Sequence, residues 1–207
     1  MNALPLHNLL SNTKKYLSIR VQEFGFVCLE NALDDEIMAS LLAESNMKQS
    51  SARKAKENDP ISYQASLADI GDTALSLLRS PFIYQILQMI SDEPLALTAE
   101  ASCYTYYGPG DFLSAHRDRF PECAVTVIVY IDATSPNPSS PQTGLSLRIF
   151  DEQGADINAL RIVIPTQVGS LVIGHGSRVF HERPTLQKGE YVIALTACFR
   201  ALTEANY

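Results

Sequence analysis

The segment VGSLVIGHGSRVFHERPTLQKGEYVIALTACFR, residues 168–200, decides the fold. Its apolar runs, LVI, RVF and YVIALTACF, are β-branched or aromatic and too short to read as separate helices. Gly, Ser, Pro and Lys-Gly pairs break them at near-regular intervals, which is the punctuation of strands. Upstream, the same pattern begins near residue 95. LALTAEASCYTYY (95–107), AVTVIVYIDA (124–133), LSLRIF (145–150) and LRIVIP (160–165) are further strand candidates. Many short strands with turn signals between them, and no helix interleaved, predict a sandwich, jelly roll or barrel rather than a parallel sheet.

The residues before 95 read differently. FGFVCLE (24–30) is a short strand candidate. ALDDEIMASLLAE (32–44) is a helix that Asp34 or Asp35 can cap, with Ile37, Leu41 and Leu42 on one face. SPFIYQILQMISDE (80–93) opens with Ser80 as N-cap and Pro81 at the first helical position. The polar segment KQSSARKAKENDP (48–60) reads as a solvated loop, a helix end or a lid. The Pro-rich ATSPNPSSPQTG (133–144) reads as a surface loop, because the strand pattern resumes directly after it. The expectation is a mainly β chain with N-terminal helices, an α+β arrangement. A helical support (about 1–95) would carry a jelly-roll (double-stranded β-helix) core (about 96–200), all in one domain over 1–207.

Composition narrows the function classes. The 207 residues are 46% apolar, enough for one sizeable core, and the net charge of −7 disfavours partners bound by neutralising many phosphates. No nucleic-acid partner and no membrane association are expected, and the N-terminal MNALPLHNLLSNTKKYLS lacks the long apolar run of a signal or span. Cys28, Cys103, Cys123 and Cys198 form no CxxC pair, so free, buried thiols in a reducing cytoplasm are expected. Oligomeric state is not readable.

Within SAHRDRF (114–120), His116 and Asp118 stand two apart, a spacing that puts both on one face if the chain is a strand there. Two histidines and one carboxylate on one face of a divalent ion make an oxygen-reactive site with open positions opposite. The third ligand must come from a distant strand. His175 lies between two glycines and reads as an exposed turn or a supporting group. His181 follows RVF in a strand-like stretch, which fixes a side chain better, and is the preferred choice.

The ordered set YGPGDFLSAHRDR, VTVIVYID, TGLSLRIF and the 168–200 segment resembles the iron(II)/2-oxoglutarate-dependent oxygenases, the prolyl-hydroxylase-like branch most nearly. The resemblance covers about residues 100–200. It implies that His116, Asp118 and His181 bind iron(II), that Tyr107 lies beside 2-oxoglutarate, and that dioxygen is the co-reactant. A small-molecule, amino-acid or peptide side-chain substrate would be oxidised at a C–H bond, with hydroxylation, desaturation or ring closure as outcomes. Because Asp118 fills its position, halogenation is not implied. One departure stands out. Where the family carries an Arg or Lys ten residues after the distal histidine, this chain has Tyr191, so the far carboxylate of 2-oxoglutarate needs Tyr191, Arg183, Arg148 or Arg200. Two other readings stay open at this stage: an iron oxygenase that does not use 2-oxoglutarate, and a non-catalytic jelly-roll module.

Overall fold

The computed structural model describes residues 6–55, 61–137, 140, 142–151 and 159–202. Its helices are α1 (Leu6–Phe24), α2 (Asp35–Gln49), α3 (Asp72–Leu78) and α4 (Pro81–Ile90). The strands are β1 (Phe26–Leu29), β2 (Arg53–Lys54), β3 (Tyr63–Gln64), β4 (Ser66–Asp69), β5 (Leu95–Tyr107) and β6 (Phe112–His116). They continue as β7 (Val125–Thr134), β8 (Ser146–Phe150), β9 (Leu160–Pro165), β10 (Leu171–Gly174), β11 (His181–Arg183) and β12 (Tyr191–Ala201). A seven-stranded sheet in the order β1-β10-β7-β12-β5-β4-β2 faces a five-stranded one in the order β3-β6-β11-β8-β9. Every pairing is antiparallel. The architecture is the expected mainly β jelly roll with a helical layer.

The layering explains the composition of the central strands. On β7, Val125, Val127, Val129 and Ile131 face the helices with Leu41, Ile83 and Leu87, while Ile128 and Tyr130 face the second sheet with Leu147 and Ile149. A strand covered on both sides has no solvent face, so it reads as an almost unbroken apolar run. On β12 the odd positions Ile193, Leu195, Ala197 and Phe199 join the helical side, and the even positions Val192 and Ala194 join the inner core.

Asp34 caps α2 by accepting the Ile37 N–H, and Ser80 caps α4 by accepting the Ile83 N–H, with Pro81 following. α3 has Gly71 as N-cap and so no side chain of its own to do this. Glu44 of α2 supplies the acceptor instead. Its carboxylate takes the N–H groups of Gly71 (3.2 Å), Thr73 (2.7 Å) and Ala74 (3.1 Å), and the Tyr104 hydroxyl at 2.6 Å. Burial works against the charge on Glu44, but these donors outweigh it and hold its pKa below the usual value. One carboxylate thus ties α2, α3 and β5 together.

Of the readings of the 48–60 segment, the helix end holds at its start, since α2 runs on to Gln49; the chain then forms β2, and residues 56–60 lie outside the described ones. One expectation is corrected. Cys123 and Cys198 are not free thiols but a disulfide, with Cα atoms 4.6 Å apart; Cys28 and Cys103 remain free. The pairing is nonlocal, across 75 residues. Because β12 lies beside β7 with Cys198 opposite Thr126, the turn leading into β7 brings Cys123 onto it. The cysteine-based case for a reducing compartment is thereby withdrawn. Among the described residues no helix is long and apolar enough to cross a membrane.

Glu44→Ala leaves three N–H groups and a buried phenol without their acceptor. It is expected to lower the stability by about 3 kcal/mol, measured as a shift of the urea midpoint at unchanged m-value.

Candidate metal centre and its cavity

Strand β11 pairs with β6 so that His181 stands opposite His116, and the two imidazole centroids are 4.3 Å apart. The strand pairing stops there. Arg117 stacks its guanidinium on the Phe180 ring at 4.5 Å, and the Asp118 N–H donates to the Gly176 carbonyl at 3.0 Å. Asp118 therefore stands just past the end of β6 rather than on the same face of a strand as His116. The loop still aims its carboxylate at both rings: Oδ1 is 3.4 Å from His116 Nε2 and 3.6 Å from His181 Nε2.

The opposite ring nitrogens face backbone carbonyls. His116 Nδ1 is 2.9 Å from Ser114 O, and His181 Nδ1 is 3.3 Å from Val179 O. A carbonyl only accepts, so each Nδ1 carries a proton and each ring turns its Nε2 inward, toward Asp118. Burial lowers the His181 pKa to about 4 against a partial opposing pull from Asp118, so the ring is uncharged at neutral pH. Burial would raise Asp118, but His181, His116 and the Thr126 hydroxyl overcome it and bring its pKa down to about 2. These are the protonation states a metal ligand needs. One donor atom from each of the three residues lies within 4.8 Å of the others. Ligands about 2.1 Å from an ion at right angles are about 3 Å apart, so small side-chain shifts close the set on a divalent cation. Two imidazoles and a carboxylate suit a first-row transition metal such as iron(II).

The triad borders a cavity of about 420 Å³ that also contains Tyr63, Tyr107 and Arg183. Arg183, two residues beyond His181, is 4% exposed. Its Nη1 donates to Thr166 Oγ1 at 3.0 Å and to Gly144 O at 3.3 Å, and its guanidinium sits 5.1 Å from the Tyr107 ring and 5.3 Å from the Tyr130 ring. No carboxylate among the described residues pairs with it. Close by, the Tyr130 hydroxyl is buried without a hydrogen-bond partner among the described residues. The Tyr107 and Tyr63 hydroxyls are 3.5 Å apart. Burial pushes the Tyr107 pKa up to about 12 although Arg183 draws it down, and burial raises Tyr63 as well, so both remain neutral phenols.

Tyr191 is not in this cavity. Its odd position on β12 turns it to the helical side, where its hydroxyl accepts from Gln49 Nε2 at 3.3 Å. Counting ten residues from the distal histidine lands one position off, because the inward residue there is Val192. Arg148 pairs with Glu182 at 3.2 Å, and Arg200 is exposed. His175 is half-buried, with its pKa lowered by burial and by Arg178, and it borders a separate pocket beside Arg178 and Asp92. Arg53, Ile61 and Tyr63 line the cavity, but no described residue of the Pro-rich 133–144 segment does.

Thr126, Tyr130, Thr166 and Gly176 were not among the residues expected from the sequence. Thr126 and Tyr130 carried a signal: polar groups at inward positions of an otherwise apolar strand. Thr166 and Gly176, in connecting segments, carried none.

His181→Asn or Asp118→Ala is expected to reduce manganese(II) binding at least 100-fold while His175→Ala leaves it within about threefold, as read by calorimetric titration. Between about pH 6.5 and 4 the folded metal-free chain refuses the proton that an unfolded His181 accepts. Stability should therefore fall as pH falls through that window. His181→Asn should flatten the dependence in denaturant melts at stepped pH.

No protein-family model and no curated protein matches the sequence. Solved structures do. A Pseudomonas putida prolyl-4-hydroxylase is 20% identical with a TM-score of 0.65, over 91% of this chain and 98% of its own. The non-haem alpha-ketoglutarate-dependent epimerase SnoN from nogalamycin biosynthesis is 16% identical with a TM-score of 0.74, over 92% and 82%. A Trichoplax adhaerens prolyl hydroxylase, solved with a hypoxia inducible factor peptide fragment, is 15% identical with a TM-score of 0.72, over 97% and 94%. At such identities the likeness establishes a shared fold.

Proposed function

We propose that this chain is a non-haem iron(II)- and 2-oxoglutarate-dependent oxygenase, prolyl-hydroxylase-like in fold, with the helical support and the jelly roll forming one catalytic domain. The observation that carries the reading is the pairing, in one cavity, of a buried His116–Asp118–His181 donor set with a buried Arg183 that has no anionic partner among the described residues. An unpaired buried guanidinium costs several kcal/mol, and a dicarboxylate cosubstrate reaching from the metal supplies the missing charge.

When iron(II), 2-oxoglutarate and dioxygen are bound, the chemistry they supply is oxidation of a C–H bond coupled to decarboxylation of the 2-oxo acid. The chain's own residues then have separate tasks. His116, Asp118 and His181 hold the metal from one side and leave the other side open. Arg183 pairs with the far carboxylate, and the Tyr130 hydroxyl donates a second bond to it, which satisfies both orphaned groups at once. Tyr107, neutral at working pH, donates to the bound 2-oxo acid in place of the Tyr63 hydroxyl that it reaches at 3.5 Å. Ile128 and Leu147 line the cavity wall and keep it dry.

The buried Arg183 in the cavity supports the 2-oxoglutarate reading over an oxygenase without that cosubstrate, the reading that Tyr191 had kept open. The substrate we infer is a small molecule, an amino acid or a peptide side chain, with hydroxylation or another C–H oxidation as the outcome. The Trichoplax enzyme is solved with a peptide, and SnoN with Fe3+, alpha ketoglutarate and nogalamycin RO, so the fold accommodates both kinds of ligand.

Arg183→Leu is expected to weaken 2-oxoglutarate binding to the manganese(II)-loaded protein by about 100-fold, the loss of a buried charged pair, while Tyr191→Phe leaves it unchanged. Calorimetric titration of both variants reads this directly. An Arg183→Leu protein that binds 2-oxoglutarate like wild type removes the anchor assignment.

A further inference from the structure

A carboxylate can bind a metal through one oxygen or two, and in a six-coordinate site the difference is one open position. With three protein donors, one-oxygen binding by Asp118 leaves three positions. Two-oxygen binding leaves only two, too few for a chelating 2-oxo acid and dioxygen together. Something in the chain has to make that choice.

The two oxygens of Asp118 have different surroundings. Oδ1 faces Nε2 of both histidines. Oδ2 accepts a hydrogen bond from the Thr126 hydroxyl. Thr126 is 2% exposed and lies on β7, where it is paired on one side with Gly174 of β10 and on the other with Cys198 of β12. Its β-branched side chain on a central strand has little freedom to turn away. The hydroxyl's other polar neighbour is Cys123 Sγ at 3.5 Å, already bonded to Cys198 and a weak acceptor. The hydroxyl therefore directs its proton at Oδ2 of the ionised carboxylate.

Gly176 completes the arrangement. A Cβ at this position would overlap both Asp118 Oδ2 and Thr126 Oγ1, and would lie 2.9 Å from Asp118 Cγ. Gly176 is not among the glycines with positive φ, so backbone conformation does not demand glycine there. Space does. Its carbonyl meanwhile accepts the Asp118 N–H at 3.0 Å, fixing the same residue from the main chain.

We propose that Thr126 is a positioning residue that occupies Oδ2 and holds Asp118 to one-oxygen metal binding, and that Gly176 keeps open the space in which it does so. The inference rests on the metal-site reading above. Thr126 lines the cavity but is not one of the three donors; it sets how many positions the metal has left. Thr126→Val keeps the shape and loses the hydroxyl, which frees Oδ2 to turn to the metal. Thr126→Ser restores the donor, and Gly176→Ala displaces the carboxylate with Thr126 intact.

The test uses manganese(II) as the probe, without 2-oxoglutarate. Affinity is measured by titration, and inner-shell water by the proton relaxivity of the bound ion. Wild type and Thr126→Ser should each keep three exchangeable waters. Thr126→Val should drop toward two, a fall of about a third in relaxivity, and Gly176→Ala should bind manganese about tenfold more weakly. A thermal melt of each metal-free variant separates these effects from unfolding. Thr126→Val with wild-type relaxivity, or Thr126→Ser falling as far as Thr126→Val, overturns the proposal and leaves the metal site standing. Wild-type protein that binds no manganese overturns the metal-site reading and this inference with it.

Discussion

The site depends on one register: His181 opposite His116 across the β11–β6 pair. A slip of one residue on either strand would turn one imidazole to the other face of the sheet, since side chains alternate. Both strands are short and belong to the smaller sheet, so their own pairing is a weak guarantee. The register is held from outside. β11 also pairs with β8, with His181 opposite Ile149, and His181 packs its ring 5.3 Å from Phe26 of the opposing sheet. The larger sheet, covered by helices on one side and the inner core on the other, is the frame against which these short strands are fixed.

The polar groups enclosed in that frame are arranged by charge. At one place two imidazoles and an ionised carboxylate converge, a set that attracts a cation. Two residues from His181, a buried guanidinium lies near two tyrosine rings with no anion among the described residues, beside a phenol that finds no partner among them either. A protein interior does not hold such groups idle at low cost. Under the proposed function they are complementary halves of one binding site, and filling it stabilises the fold by mass action. The same logic applies to Glu44, but there the partners are all internal and the result is a joint rather than a site.

Much of this was legible in the chain. Short β-branched runs with Gly and Pro between them announced the jelly roll, and Ser80-Pro81 announced α4 because capping is local chemistry. His116, Asp118 and His181 were legible through residue type and motif order. What was not legible depends on register or parity. Tyr191 looked like the anchoring position by count, but alternation along β12 turns it to the helices and leaves Val192 inside. Asp118 looked like a strand neighbour of His116, but the ladder ends first and a loop delivers it. The Cys123–Cys198 disulfide joins residues brought together only by the pairing of β7 with β12, and spacing in sequence carries no trace of that. Arg183 was one of several candidate cations until burial separated it from Arg148 and Arg200.

The central claim is that the donor set and Arg183 form one site for iron(II) and 2-oxoglutarate together. The most direct measurement is an anaerobic titration of the iron(II)-loaded protein with 2-oxoglutarate, followed in the visible range. The account predicts a weak charge-transfer band of a chelated 2-oxo acid that grows and saturates at one equivalent. Iron binding without any such band would contradict it.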